Sequence, residues 1–140
     1  MRKIILLVLF SLSVLMGILS FVLSQNNSIG YVDYLKVFSE YKETKNMQVQ
    51  IQQKQTEINK IIEDAKKKGL SEKDLNKLKS DKEKELGDLV SKIRDSLRKK
   101  ILAEVEKVAK SKNLSVVLEK GARVWGGVDI TKDVLNNLNK

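Results

Sequence analysis

The sequence predicts an α+β fold that is mostly α-helical, in which a long antiparallel helical hairpin projects like a coiled-coil tentacle from a small body of β-strands. Charged residues make up 32 % of the 140-residue chain, aromatic residues make up 5 %, and proline is absent. Such a composition is typical of long solvated helices. Between residues 47 and 108, apolar residues recur at helical spacings. Short β-branched segments on either side of this region predict the strands.

Residues 1–24 are predicted to be a signal peptide or a membrane anchor. Arg2 and Lys3 precede an uncharged run, 4–24, which is about as long as the ~20 apolar residues that cross a bilayer. The segment Val22-Leu23-Ser24 is only a mediocre cleavage site. We expect cleavage, with an uncleaved anchor as the alternative. In either case, residues 25–140 are expected to form a single domain that works across the membrane.

The domain is predicted to begin with a short strand, 29–33, rich in β-branched and aromatic residues. The helical hairpin then occupies 35–112, and the body consists of 28–34 and 113–140. The first hairpin helix has one apolar stripe, which consists of Met47, Ile51, Ile58, Ile61, Ile62 and Ala65. This helix should end at the three lysines 66–68 and Gly69, because cations suit a helix C-terminus and glycine tolerates the left-handed conformation.

The second hairpin helix should begin after Ser71, which forms a capping-box pattern with Asp74, and continue to about Ser111. Its apolar stripe consists of Leu75, Leu78, Leu86, Leu89, Val90, Ile93, Leu97, Ile101, Val105 and Val108. The link between the helices is so short that they must lie antiparallel. At 1.5 Å per residue, they would be about 45–50 Å and about 60 Å long. The tip of the hairpin therefore lies near 66–71.

The chain is expected to return to the body after Asn113, because asparagine tolerates the left-handed conformation that ends a helix. Segments 114–119 and 123–125 are predicted to be the second and third strands, because both are rich in β-branched or aromatic residues. Gly126 and Gly127 should end the third strand.

A last short helix is predicted at 132–138. Asp129 or Thr131 is expected to cap it, since both residue types accept hydrogen bonds from the first turn of a helix. Its apolar side consists of Val134, Leu135 and Leu138, which should pack against the rest of the body.

A body this small is not expected to support the hairpin as a monomer. Its strands offer few large side chains for burial, and its sheet would have open edges. Association of identical chains would close these edges and enlarge the buried core, so we predict a homo-oligomer joined at the strand end. The residues expected to form this oligomerisation body are Tyr31, Val32, Val116, Leu118, Val124 and Trp125, with Trp125 in the core of the body.

Composition argues against an enzyme. The chain has neither histidine nor cysteine, so it lacks the commonest general base and the soft metal ligands, and we expect no cofactor. The formal net charge of +9 favours anionic partners. Lys66, Lys67 and Lys68 are candidates for contact with lipopolysaccharide or a membrane surface, although the helix dipole also explains them. Nucleic acid is not expected, because no aromatic residues are interleaved with the cations.

The order of these elements resembles the Skp/OmpH family of periplasmic chaperones for outer-membrane proteins. The matching parts are 29–33 with 34–38 after it, 101–117, and the closing segment Asp129-Ile130-Thr131-Lys132-Asp133-Val134-Leu135. The resemblance implies a trimer in which strands form a central barrel and three hairpins surround a cavity. It also implies that unfolded outer-membrane proteins are held there without ATP. The hairpin of this chain is somewhat shorter, which would shrink the cavity.

On this interpretation, Met47, Ile51 and Ile58 are candidates for contact with the unfolded client, Met47 because its thioether adapts to varied surfaces. The hairpin should open most easily where polar residues interrupt both stripes, at 79–85 opposite 52–55. Two alternatives remain open. One is a membrane-anchored coiled-coil protein that scaffolds the cell envelope, and the other is a basic protein that binds polyanions.

Overall fold

The computed structural model of the chain describes residues 28–140, and the predicted leader, 1–24, lies outside the described residues. Its elements, in chain order, are β1 (Ser28–Val32), α1 (Tyr34–Glu40), α2 (Lys42–Lys67), α3 (Glu72–Ser111), β2 (Leu114–Glu119), a 3-10 turn (Lys120–Ala122), β3 (Val128–Asp129) and α4 (Thr131–Leu138). The predicted class, a mostly helical α+β fold with a long hairpin and a small sheet, is confirmed.

The sheet has three parallel strands in the order β2-β1-β3. Parallel neighbours require a crossover connection, and the whole hairpin forms the connection between β1 and β2. The register places Ile29 beside Val116 and Tyr31 beside Leu118. Because β1 is central, β2 and β3 each have one edge without a strand partner in residues 28–140.

The predicted third strand at 123–125 is wrong, since β3 is Val128–Asp129. The 3-10 turn comes first, and Arg123 then adopts extended angles (φ −98°, ψ 130°) without joining the sheet. Gly126 and Gly127 follow with φ of 76° and 89°. These left-handed angles, which glycine adopts readily, turn the chain so that the next two residues reach β1.

The hairpin consists of α2 and α3, which pack against each other along the arm. Helices of 26 and 40 residues are about 39 Å and about 60 Å long. The predicted turn is confirmed: α2 ends with Lys68 as C-cap, and Gly69 has a φ of 75°. Ser71 caps α3, because its Oγ accepts from the Asp74 amide at 3.2 Å and donates to the Asp74 carboxylate at 2.6 Å.

One interruption of the first helix was not predicted. Tyr41 has extended angles (φ −69°, ψ 128°) and separates α1 from α2. Its side chain is only 4 % exposed and belongs to the core. The arm therefore begins at Lys42, and α1 belongs to the body.

The core lies where the arm meets the body. It is built from β1, α1, the first turns of α2, the C-terminal half of α3 and α4, and its buried members are Val32, Val37, Tyr41, Met47, Leu97, Ile101, Val105, Val108, Ile130, Val134 and Leu135. The predicted apolar side of α4 is confirmed, with Leu138 partly buried.

The predicted cap of α4 needs a correction. The helix begins at Thr131, with Ile130 as N-cap. The Asp129 carboxylate accepts from the Thr131 amide at 2.9 Å, and the Thr131 hydroxyl accepts from the Asp33 amide at 3.0 Å. Asp129 thus satisfies an amide of the first turn, as predicted, while Thr131 links α4 to the end of β1.

Candidate binding surfaces

An open groove follows one side of the hairpin next to the body. It encloses about 620 Å³ and is lined by Glu43, Asn46, Met47, Gln50, Leu89, Lys92, Ile93, Ser96 and Leu97. A second hollow of about 360 Å³ continues it towards the tip and shares Leu89 and Lys92 with it. We call the two together the arm groove. Its apolar residues come from both helices: Met47 from α2, and Leu89, Ile93 and Leu97 from α3.

The predicted client-contact residues lie at different depths in the arm. Met47 is 8 % exposed and lines the arm groove. Ile51 is half-buried against the core. Ile58 is only 2 % exposed and fills the space between the helices, so it is not a surface position and could contact a client only if the helices separate.

Ion pairs connect the two helices of the arm. Near the body, Lys100 Nζ lies 2.6 Å from the Glu43 carboxylate and, through that hydrogen bond, lowers the pKa of Glu43. Further out, the Glu85 carboxylate lies 2.8 Å from Lys54 Nζ on the other helix and 2.7 Å from Lys82 Nζ on its own helix. The hydrogen bond from Lys54, and to a smaller extent that from Lys82, lowers the pKa of Glu85 to about 2.

The Lys54–Glu85 contact lies where the polar residues of the two stripes were predicted to face each other. Polar residues do meet there, but they form a bridge between α2 and α3. Easier opening at this point stays a prediction.

Lys92 is the cation placed to act on a ligand in the arm groove. It lines both hollows and forms no ion pair within residues 28–140. At the tip, Lys66, Lys67 and Lys68 are exposed, and their contact with an anionic surface stays a prediction.

The outer face of the sheet is the second candidate surface. Ile29 is 47 % and Val116 is 49 % exposed, although they are neighbours in the register. Tyr31 and Leu118, the next registered pair on this face, are half-buried. Apolar side chains on a sheet face are normally covered. Within residues 28–140, the Arg123 guanidinium covers the Tyr31 ring at 3.7 Å from its centre, whereas Ile29 and Val116 are left exposed.

The remaining residues of the predicted oligomerisation body differ in how far they are exposed to solvent. Val32 is 6 % exposed and belongs to the core of its own chain, because it points towards the helices. Val124 and Trp125 are 102 % and 91 % exposed. Trp125 is therefore not in the core of the single chain, and its burial by a second chain stays a prediction.

A third hollow lies between β2 and α3, and we call it the β2 groove. It encloses about 470 Å³ and is lined by Val32, Tyr34, Arg94, Asp95, Arg98, Leu102, Val105, Val117, Leu118 and Glu119. The sequence reasoning missed it. The sequence feature that could have indicated it is the spacing of Arg94, Arg98 and Leu102. At four-residue intervals, they lie on one helix face outside the apolar stripe.

In the described part of the chain, no group of three or more acidic residues is placed to hold a metal ion. No helix within residues 28–140 is long and apolar enough to cross a membrane. The arrangement is that of a mostly helical α+β protein with an open, partly apolar groove along a charged arm, which suits the binding of a flexible, partly apolar ligand.

Comparison with known proteins finds similarity among solved structures. No family model and no curated protein matches the chain. Among solved structures, the chain is similar to an OmpH-like protein of Caulobacter crescentus, a candidate outer membrane chaperone. The two share 14 % identity, the match covers 80 % of this chain and 83 % of that one, and the TM-score is 0.45.

Proposed function

We propose that this protein is a periplasmic holding chaperone that binds unfolded outer-membrane proteins without ATP, in the space between the helical arms of a homo-oligomer. The observation that carries the proposal is the arm groove, an open groove along the arm in which apolar side chains lie among polar and charged ones. The family resemblance of the sequence supplies the client class and the expected trimer.

The chemistry of the arm groove suits transient holding. Leu89 and Ile93 are half-buried and offer apolar surface without a closed pocket, so a client makes several weak contacts instead of one tight fit. The flexible thioether of Met47 can adapt to different side chains. Lys92 and the net charge of +9 attract acidic segments over a distance that shrinks with added salt.

The outer face of the sheet supports self-association at the body. Ile29 and Val116 form an exposed apolar pair on this face, beside the half-buried Tyr31 and Leu118, and each outer strand has one edge without a strand partner in residues 28–140. Identical chains joined there would cover this face and protect edges that otherwise invite aggregation. The arms would then extend from one side of the assembly and enclose a space.

Dilution of a urea-denatured outer-membrane β-barrel protein tests the holding activity. We expect the purified protein to suppress light scattering without nucleotide, and Leu89→Gln to weaken suppression because it places an amide in the middle of the arm groove. Val49→Gln is the matched control, since Val49 is 53 % exposed on the same arm and does not line the groove. Failure of the unmodified protein to suppress scattering would contradict the proposal and favour a scaffolding role.

A further inference from the structure

Trp125 is the most conspicuous exposed apolar residue of the body. It is the only tryptophan of the chain, and it is 91 % exposed next to the fully exposed Val124. An indole ring has one of the largest apolar surfaces of any side chain, and exposed tryptophans are concentrated in binding sites. The exposure of Trp125 therefore indicates that it contacts a binding partner.

The loop that carries Trp125 is held in a defined position. The Arg123 guanidinium lies 3.7 Å from the centre of the Tyr31 ring, and its Nη1 donates to the Gly126 carbonyl at 2.7 Å. The backbone at Gly127 passes so close to β1 that an added Cβ would lie 3.2 Å from the Ile29 carbonyl oxygen. The loop thus presents Trp125 from a fixed support, which lowers the entropy lost on binding.

The β2 groove has the size and chemistry to receive an indole ring. Its volume is about 470 Å³, and Val105, Val117 and Leu102 supply apolar walls. Arg94 and Arg98 stand one helical turn apart at its border and form no ion pair within the described chain. A guanidinium placed over an indole face is among the more favourable cation–π pairs.

The loop and the groove lie at opposite edges of one sheet. The loop leads into β3, whereas the groove is bordered by β2, and β1 separates the two strands. A contact between the loop of one copy and the groove of the next joins unlike surfaces head to tail. Such contacts form a ring when the rotation between copies closes.

We infer that Trp125 of one copy occupies the β2 groove of the next copy, between its Arg94–Leu102 helix face and its strand β2. The inference rests on the self-association proposed above and names a contact that carries it. The occupant is a second copy because the same chain supplies both a fixed, exposed indole and, at the other edge of its sheet, a groove of suitable size whose Arg94 and Arg98 form no ion pair within residues 28–140.

Disulfide trapping between two singly substituted chains tests this contact. The chain has no cysteine, so Trp125→Cys and Leu102→Cys introduce the only thiols. Leu102 is 48 % exposed in the groove. When the two full-length variants are coexpressed, we expect an oxidised 125–102 dimer to predominate over either homodimer. Trp125→Cys with Val49→Cys is the control pair and should not cross-link.

Mass measurement by light scattering separates failure of this contact from failure of the proposed assembly. A monomeric unmodified protein would overturn both. An oligomer in which 125–102 cross-links are absent, or in which Trp125→Cys homodimers predominate, would overturn the present inference alone. For an oligomer joined in this way, Trp125→Ala should weaken association by on the order of 30-fold, as for a central aromatic hot spot.

Tryptophan fluorescence tests the contact independently, because it leaves Trp125 itself unchanged. Since Trp125 is the only tryptophan, its emission reports this site alone. We expect emission to shift to shorter wavelength as protein concentration rises through the association range. In Arg94→Ala/Arg98→Ala, that shift should require a higher concentration. An emission maximum typical of a solvated indole in the assembled protein would contradict the inference.

Discussion

Gly30 lies where β1 approaches both of its neighbours. It is buried, and a Cβ added there would lie 2.5 Å from Leu114 Cδ1 and 3.5 Å from the Val128 carbonyl oxygen. Even one added methyl group should therefore force β2 or its side chains to move. We predict that Gly30→Ala lowers the free energy of unfolding by about 1–3 kcal/mol, the usual cost of overpacking. Urea unfolding followed by circular dichroism measures it.

Two further variants separate crowding from the general effect of replacing glycine. Gly87 lies inside α3 with nothing within 4 Å of an added Cβ, so Gly87→Ala should raise the free energy of unfolding by about 0.5–1 kcal/mol. Leu114→Ala should reduce the cost of Gly30→Ala, because it removes the crowded methyl group. Equal effects at positions 30 and 87 would refute the close approach of the strands.

At the scale of elements, Asn139 holds the joint between α1 and α2. Its side-chain oxygen accepts from the Lys42 amide at 2.9 Å, and its side-chain nitrogen donates to the Glu40 carbonyl at 3.2 Å. The interruption at Tyr41 leaves both backbone groups without helical partners. Asn139→Ala should therefore cost about 1–2 kcal/mol of unfolding free energy, for two hydrogen bonds of ordinary strength.

Asn139→Asp is the matched control for the joint. Aspartate keeps the acceptor for the first amide of α2, where a negative charge is also favourable, but it cannot donate to Glu40. Its unfolding free energy should lie between those of the unmodified protein and Asn139→Ala. An alanine variant as stable as the unmodified protein would show that water replaces the side chain at the joint.

The ion pairs of the arm give stability a definite pH dependence. The pKa of Glu85 falls from 4.5 to about 2 in the folded chain, because Lys54 and Lys82 donate to its carboxylate. A carboxyl group with a lowered pKa stabilises the fold fully above its unfolded pKa and loses this contribution as pH falls towards its folded pKa. The contribution of Glu85 should therefore disappear between pH 4.5 and about pH 2.

Comparison with Glu85→Gln isolates this contribution from the other carboxylates. The unmodified protein should have the higher urea midpoint at pH 7, and the difference should shrink as pH falls through that window. The effect should be small, because the Glu85 side chain is 43 % exposed and solvent screens the pair. A difference that is constant from pH 7 to pH 2 would show that charge plays no part.

Elements were predictable where local chemistry decides them. The Gly69 stop, the Ser71 cap and the limits of α3 depend on neighbouring residues alone, and all three were predicted correctly. The break at Tyr41 carries no glycine or proline signal, and burial of its ring in the core overrides helix propensity. The third strand was misplaced because β-propensity measures fit to a neighbouring strand, and residues 123–125 find none within one chain.

Binding surfaces were harder to predict than elements. The apolar stripes correctly marked Leu97 and Ile101 as core residues, whereas Met47, a predicted client contact, also belongs to the core and is 8 % exposed. They could not show that an open groove follows the hairpin beside Met47 and Leu89, since a groove depends on how the two helices pack. The β2 groove is also a product of tertiary packing, because Arg94 and Val117 come together only when α3 crosses the sheet.

The whole molecule is stabilised unevenly along its length. Buried residues are concentrated at the body end of the arm, and none of residues 59–96 is buried. The distal arm therefore depends on helix propensity, half-buried stripes and ion pairs, each of which contributes little free energy. This asymmetry suits an arm that must yield to clients of different shapes while its base remains fixed.

Amide hydrogen exchange should reveal this gradient directly. We expect amides of 60–90 to exchange through local opening at rates on the order of 100-fold or more above those of 97–108, whose exchange requires global unfolding. Ile101 is 0 % exposed, so Ile101→Ala should accelerate exchange at 97–108 and leave the distal arm nearly unchanged. A bound unfolded client should slow exchange beside the arm groove, because weak contacts there stabilise the closed hairpin. Uniform protection along α3 would mean that the hairpin opens only together with the body. The distal arm could then not adapt its shape to different clients while its base stays folded.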